Sequence, residues 1–495
     1  MSTARKVLDN TVVQVAGRLV MAFMSIIIVK LITGYLGLEG YGKYSAIYEF
    51  LAFFGVAADL GLFTISVREM AKEDTQEARE HILSNIITMR VVLCLATMTA
   101  AVIAAYFVPQ YKAIHLGIII ASVAVFLSTL QSAIASLLQF KLKMQYATIA
   151  QVAGKGASLA YIAYVIYYGF TEPSSAGFYN LIVAGVVGNI VLLGVTYFFA
   201  RRYGHIYFGK DWNFIRKVLI KSVPYGVALV LNMIYFRVGS IMLLLLKGPT
   251  EVGIYAVPMR VLEILSLIPV FFMNSVLPVL TRHVHEKTDR VKDILKYSFD
   301  FLFMAGVPLV AGTQVLAYSI VAAISTPEFL SRTDEGFYGS DITIKYLMAA
   351  MMVAFINSLF VYAIIASSHQ NRLLWLNGSC AIFNVCLNFL MIPWLGARGA
   401  AITSIATETL LLVLAYLAIR KEMPFGFSFG TLWKTIFAGV VMALAVWGLR
   451  DWSFEYLKNY NIVLLIPVGG VVYGGMLLVM KAVTRDTLKM LGLRG

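Results

Sequence analysis

Charge is scarce in this sequence. Only 13% of its 495 residues are Asp, Glu, Lys or Arg, about half the share of an ordinary soluble domain. Against 60% hydrophobic residues and a mean hydropathy of +0.81, that shortage excludes a soluble globule and leaves a polytopic membrane protein. Cysteine is scarce as well. Cys94, Cys380 and Cys386 each sit inside an apolar run without metal-ligand spacing, so neither a disulfide framework nor a cysteine metal centre is expected. No G-x-x-x-x-G-K stretch followed by Ser or Thr occurs, so ATP hydrolysis by the chain is not expected, and no other cofactor is called for. Large outer loops are missing too. Membrane glycosyltransferases, polymerases and ligases typically keep catalytic acids in such loops, so the chain is not read as an enzyme. At the start, Met1–Lys6 is basic, but the apolar run after it is too long for a signal peptide and lacks a cleavage site. The first helix is therefore expected to stay in the mature protein.

The net charge of +14 invites a nucleic-acid reading, which the placement of the charges excludes. About 26 of the Lys and Arg residues fall in alternate loops beginning with the N-terminus, and about eight in the opposite loops. This is the bias of cytoplasmic loops, and it predicts cytoplasmic termini in a multi-pass protein of the inner (cytoplasmic) membrane.

Apolar runs of about 20 residues predict an all-α protein with about fourteen transmembrane helices, from Thr11–Leu36 and Tyr44–Val67 to Leu432–Leu449 and Ile462–Met480. An internal repeat organises them. Gly42-Lys43-Tyr44-Ser45 superposes on Gly253-Ile254-Tyr255-Ala256, each followed by a long apolar helix that ends in a basic residue, so two related halves are expected. The boundaries follow: a six-helix lobe over 1–200, a polar linker or hinge over 201–217, a second six-helix lobe over 218–420, and two extra helices with a tail over 421–495. The longest outer loop, about Thr326–Thr343, is expected to be partly disordered.

Six basic residues fall inside the runs, Arg18, Lys30, Arg90, Lys155, Arg237 and Arg260, with Glu49, Asp59, Glu263, Asp300 and Glu408 as the acids. Each such base costs about 2.5–3.5 kcal/mol at the bilayer centre, so it should line a wet cavity or pair with an acid. Lys30 lies near a helix end, where it can snorkel. Arg18, Arg90, Lys155, Arg237 and Arg260 are the candidate cavity residues, because guanidinium forks grip phosphate oxygens. Glu49, Asp59 and Asp300 are the candidates for gating or for coupling to H⁺ or Na⁺. Structural pairing is the competing reading. Arg260 has Glu263 one turn along its own helix, while the repeat register also aligns it with Glu49 at an outer gate. Arg237 has no acid just after it. Pro224 favours a kink in the seventh helix. Asn377, Asn384 and Asn388 form a polar stripe that reads equally as cavity lining or as glue between helices. Tyr44, Tyr161, Tyr225, Tyr235 and Tyr255 are candidates for stacking on sugars.

Gly42 to Tyr48, the Ala-Asp-Leu-Gly-Leu run at Ala58–Leu62, the exit Val67-Arg68-Glu69, and Asn388-Phe389 with Ile392-Pro393, Gly396 and Gly399-Ala400-Ala401 together resemble the polysaccharide transporter (O-antigen flippase-like) family. The likeness covers nearly the whole chain. It implies membership of the superfamily that also holds lipid II flippases and multidrug and toxin extrusion antiporters. It further implies a flippase moving a polyprenyl-pyrophosphate-linked oligosaccharide, for O-antigen, lipopolysaccharide or other polysaccharide biosynthesis, by alternating access. The implied partners are that lipid-linked oligosaccharide, membrane lipids, a coupling ion and polysaccharide-assembly proteins. A lipid II flippase, a cation-coupled multidrug antiporter and a membrane polymerase or ligase are the alternatives.

Overall fold

A computed structural model of the protein describes residues 3–367, 370–420, 423 and 429–482; the side chains at 3–11, 224, 225, 228, 232, 235 and 370 lie outside that description. Among the described residues fifteen α-helices follow one another: α1 Thr3–Asp59, α2 Leu62–Met70, α3 Gln76–Phe107, α4 His115–Phe140, α5 Met144–Tyr164, α6 Ser175–Ala200, α7 Trp212–Lys247, α8 Pro249–Leu265, α9 Leu267–His285, α10 Arg290–Ile324, α11 Ser340–Ala366, α12 Gln370–Leu395, α13 Ala397–Ile419, α14 Phe429–Leu457 and α15 Ile462–Val479. Among the described residues there is no strand, only the isolated bridge between Arg332 and Phe337. This all-α architecture is the one that apolar runs dictate, because a helix satisfies its own backbone groups in hydrocarbon.

Twelve stretches of the described residues are long and apolar enough to span a membrane. The first, Val12–Met70, has 59 residues, about three times the roughly 20 that a hydrocarbon core of about 30 Å needs. It bends at Gly37, whose φ of 66° and ψ of −171° suit a residue without a Cβ, and so supplies two spans. Counting both, and adding the 36-residue α7, gives the fourteen expected.

The chain forms two compact units, Met1–Gly253 and Ile254–Gly495. In the first, α6 packs on α4 and α5, and α1 packs on α5 and α7. Helices α5 and α6 come together at Gly154 and Gly188. A Cβ on either would stand 2.7–2.8 Å from the other's carbonyl oxygen, an approach that only small residues permit. In the second unit α11 packs on α10 and α13, α12 on α13, and the pair α14–α15 on α10. The Tyr473 hydroxyl of α15 donates to the Met304 carbonyl of α10 at 2.8 Å.

Two expectations change. The outer loop Thr326–Thr343 is folded. Asp341 accepts from the Ser331 backbone N–H (2.8 Å) and hydroxyl (2.6 Å), and Arg332 lies over the Phe337 ring. The short polar side chains take the place of a hydrogen-bonded ladder. The segment read as a hinge is also fixed in place over 201–211. Gln76 of α3 donates to the Tyr203 carbonyl, Glu80 accepts from the His205 N–H, the Ser84 carbonyl accepts from the Gly209 N–H, Asn85 accepts from the Asp211 N–H, and Thr88 donates to the Gly209 carbonyl. At 100° per residue these positions spread over about half the circumference of α3, so the connector wraps its end. Asp211 then caps α7 by accepting from the Phe214 N–H at 3.0 Å.

Candidate functional site

The Ala58–Leu62 motif is a corner within the apolar span. Helix α1 ends at Asp59, Leu60 and Gly61 take left-handed φ values of 43° and 71°, and α2 starts at Leu62. Leu60 packs against Gly226 of α7, where a side chain would collide with it. Beside the corner, Arg90 of α3 is fully buried. It donates to Asp59 at 2.5 Å and to the Thr129 carbonyl of α4 at 3.3 Å. One guanidinium therefore joins α1, α3 and α4, a task for a planar fork with several donors.

A second pair lies nearer the other end of the same helices. Arg237 of α7 donates to Glu49 of α1, and Glu49 is buried. The two residues are matched in depth: Glu49 lies about 18 Å past the bend at Gly37 and Arg237 about 15 Å before the end of α7 at Lys247, at 1.5 Å per residue. That match is legible in the sequence and supplies the partner that no residue just after Arg237 provides. The cost of a buried charge falls steeply when an opposite charge shares its site.

The other candidates are placed separately. Arg18 is exposed on α1, next to Gly17, which packs on Thr148 of α5, while Lys155 is half-buried on α5. Ser25, two turns after Arg18 on α1, donates to the Met21 carbonyl of its own helix at 2.8 Å; the side chains of Pro224, Tyr225 and Tyr235 lie outside the described residues. Tyr161 donates to Asn180 at 3.1 Å, and Tyr44 lies against Tyr48 with ring centres 4.9 Å apart.

In the second unit Arg260 pairs with Glu263 at 2.8 Å, one turn along α8. Asn388 donates to Asn384, which donates to Thr407 of α13, so these asparagines join α12 to α13. Asn357 of α11 donates to both the carboxylate and the carbonyl oxygen of Glu408. Asp300 of α10 is 5% exposed, and its Oδ1 is buried with no hydrogen-bond partner among the described residues. Among the described residues no group of three or more His, Cys, Asp or Glu is placed to hold a metal ion.

Chemically, the arrangement offers net positive charge in the spans of the first unit and one buried, partly unsatisfied acid in the second. Comparison with known proteins adds a family. The family model described as polysaccharide biosynthesis protein matches residues 7–284. The probable flippase AglR of Haloferax volcanii is 23% identical over 267 residues, an alignment covering 52% of this chain and 53% of the relative; the chain thus matches about half the length of that relative. The fold is that of the lipid II flippase MurJ in an inward closed conformation (TM-score 0.72, 14% identity, 98% of this chain and 99% of that one). It is also that of an inward-facing multidrug resistance transporter of the MATE family (TM-score 0.65, 14% identity, 83% and 98%). A transporter of the same superfamily from Pyrococcus furiosus, described as having a binding pocket of reversed polarity, matches with a TM-score of 0.61 at 15% identity over 84% and 95%.

Proposed function

The chain belongs to the polysaccharide biosynthesis protein family, and from that membership we propose that it is a flippase carrying a polyprenyl-pyrophosphate-linked oligosaccharide across the cytoplasmic membrane by alternating access, with both termini in the cytoplasm. The observation that carries the reading is the charge balance of the first unit. Its spans hold Arg18, Lys30, Arg90, Lys155 and Arg237 against two acids, Glu49 and Asp59, and each acid is engaged by an arginine. The spans keep net positive charge whatever hydrogen bonds the bases make. A cavity for cationic drugs needs the opposite sign, and a pyrophosphate needs this one.

Arg18 and Lys155 are the residues assigned to the anionic head group, and Arg237 and Arg260 are each assigned a contact with it during the transport cycle. Arg90 supports the corner. A pyrophosphate carries about two negative charges, and a potential negative inside favours its outward movement by about 2.3 kcal/mol per charge per 100 mV. A coupling cation, H⁺ or Na⁺, would act at Asp300, because a buried carboxylate oxygen without a donor is costly unless a proton or cation joins it. Asp59 is the weaker coupling candidate because Arg90 holds it.

The test is transport of a lipid-linked oligosaccharide into proteoliposomes under an imposed potential, first without and then with an H⁺ or Na⁺ gradient. Arg18→Ala is expected to abolish transport at unchanged protein abundance, and Arg18→Lys to retain part of it. Asp300→Asn is expected to remove any stimulation by the gradient while leaving the potential-driven rate. Full activity in Arg18→Ala would remove the anion site. Lipid II moved in preference to other lipid-linked glycans would establish the lipid II reading instead.

A further inference from the structure

Two adjoining recesses lie on the flank of the first unit. One is an apolar slot of about 430 Å³ between α3, α4 and α6, lined by Leu127, Leu130, Ile134, Ile190 and Gly194 among others. The second, of about 490 Å³, is of mixed polarity and is lined by Glu80, Arg201 and His205 among others. Tyr197, Ile206 and Tyr207 line both, so one opens on the other. The direction of the slot follows from the helices. Ile190 to Tyr197 on α6 and Leu127 to Ile134 on α4 each span about 10 Å at 1.5 Å per residue. The slot therefore runs from the end of α6 that leads into 201–211 toward the bilayer interior.

The slot is kept open by what is missing. A Cβ built on Gly194 meets nothing within 4 Å, whereas Gly188, two turns earlier on α6, is packed against Gly154. The roof is held in place, because Ile206–Phe208 lies between the His205 and Gly209 attachments to α3. The rim carries one arginine: Arg201 lines it and lies over the Phe198 ring at 5.0 Å, with the next residue, Arg202, over the same ring at 4.9 Å. Glu80, the one acid in the lining, already accepts from the Gln76 side chain and the His205 N–H. An elongated apolar slot ending beside Arg201, with the neighbouring Glu80 already engaged, is complementary to a molecule with a chain and a phosphate.

We propose that this recess is a binding site for an anionic phospholipid of the adjacent leaflet, with the phosphate at Arg201 and His205 and one acyl chain in the slot beside Gly194. The site does not depend on the cargo assigned above, and its occupant is a resident lipid. With the lipid in place, the roof segment and the rim are held together from the membrane side.

The experiment is native mass spectrometry of the full-length protein released from nanodiscs of phosphatidylcholine doped with phosphatidylglycerol. Phosphatidylglycerol is expected to be retained over phosphatidylcholine. Arg201→Ala with His205→Ala should weaken that retention by about tenfold, the scale of one charge-assisted hydrogen bond. Gly194→Phe fills the slot and should weaken it comparably with the rim untouched. Size-exclusion profiles confirm that each variant is folded, and Arg201→Glu serves as a second rim variant should the double variant fold poorly. Millimolar inorganic phosphate should not displace the lipid. Equal retention of both lipids, parent-like retention in the rim and slot variants, or displacement by phosphate alone would each overturn the proposal.

Discussion

Gly42 and Gly253, the two glycines that the internal repeat sets in register, lie against one another. A Cβ on Gly42 would collide with the Pro249 carbonyl and stand 3.0 Å from the Gly253 nitrogen, and one on Gly253 would stand 2.5 Å from the Leu38 carbonyl oxygen and 3.4 Å from the Gly42 nitrogen. Backbone meets backbone at this point, and no rotamer change can make room.

Gly42→Ala and Gly253→Ala are therefore expected to destabilise the protein by about 1–3 kcal/mol each. Gly34→Ala is the control, since a Cβ there meets nothing within 4 Å. Thermal unfolding in detergent, followed by loss of monomeric protein on size exclusion, separates the three. Equal midpoints for Gly42→Ala and Gly34→Ala would mean that the close approach is unimportant.

The Glu49–Arg237 pair should behave as a unit. Glu49→Gln or Arg237→Gln alone leaves a charge in a low-dielectric site and should cost about 3–5 kcal/mol, while the double variant should cost less than the sum. A thermal-stability cycle measures the coupling, and additive costs would refute it. The same cycle run with Arg260 in place of Arg237 tests the outer-gate pairing proposed for Glu49.

Arg90 should prove a residue of the fold. Arg90→Ala is expected to lower membrane abundance sharply, and Arg90→Lys to restore little, because an ammonium cannot reach Asp59 and the Thr129 carbonyl with one planar group. Normal abundance in Arg90→Ala with transport lost would instead move Arg90 into the substrate path.

Orientation is tested by single cysteines. Cysteines at Thr171 and Glu335, both exposed, should react with an impermeant thiol reagent from outside, and one at Lys287 should not. The reverse pattern would invert the topology. Glu335 serves better than Ser331, whose hydroxyl is engaged by Asp341 and the Gly339 N–H.

Most of the helical framework is legible in the sequence, since hydrocarbon allows long apolar runs little other structure. The bend of α1 is legible too, since the apolar run Thr11–Leu36 ends one residue before Gly37, where helical geometry is interrupted. The charge pairs are only half legible. Depth along the helices brings Glu49 level with Arg237, but which helices are neighbours is a fact of packing. The fixing of 201–211 is hidden for another reason. Gln76, Glu80, Ser84, Asn85 and Thr88 read as the wet end of a transmembrane helix, and only the returning chain turns them into partners. The asparagine stripe on α12 fits both readings from sequence, and the bond from Asn384 to Thr407 favours glue.

The five attachments between α3 and 201–211 also have a mechanical consequence. A free connector absorbs displacement, whereas a riveted one transmits it. Helix α7 begins one residue after the last rivet, at Asn85 and Asp211, so its entry end is a clamped bearing with no slack. Any swing of α7 must be taken up along its own length, and Gly226, seated on the Leu60 corner, is where a lever clamped at that end would find its fulcrum.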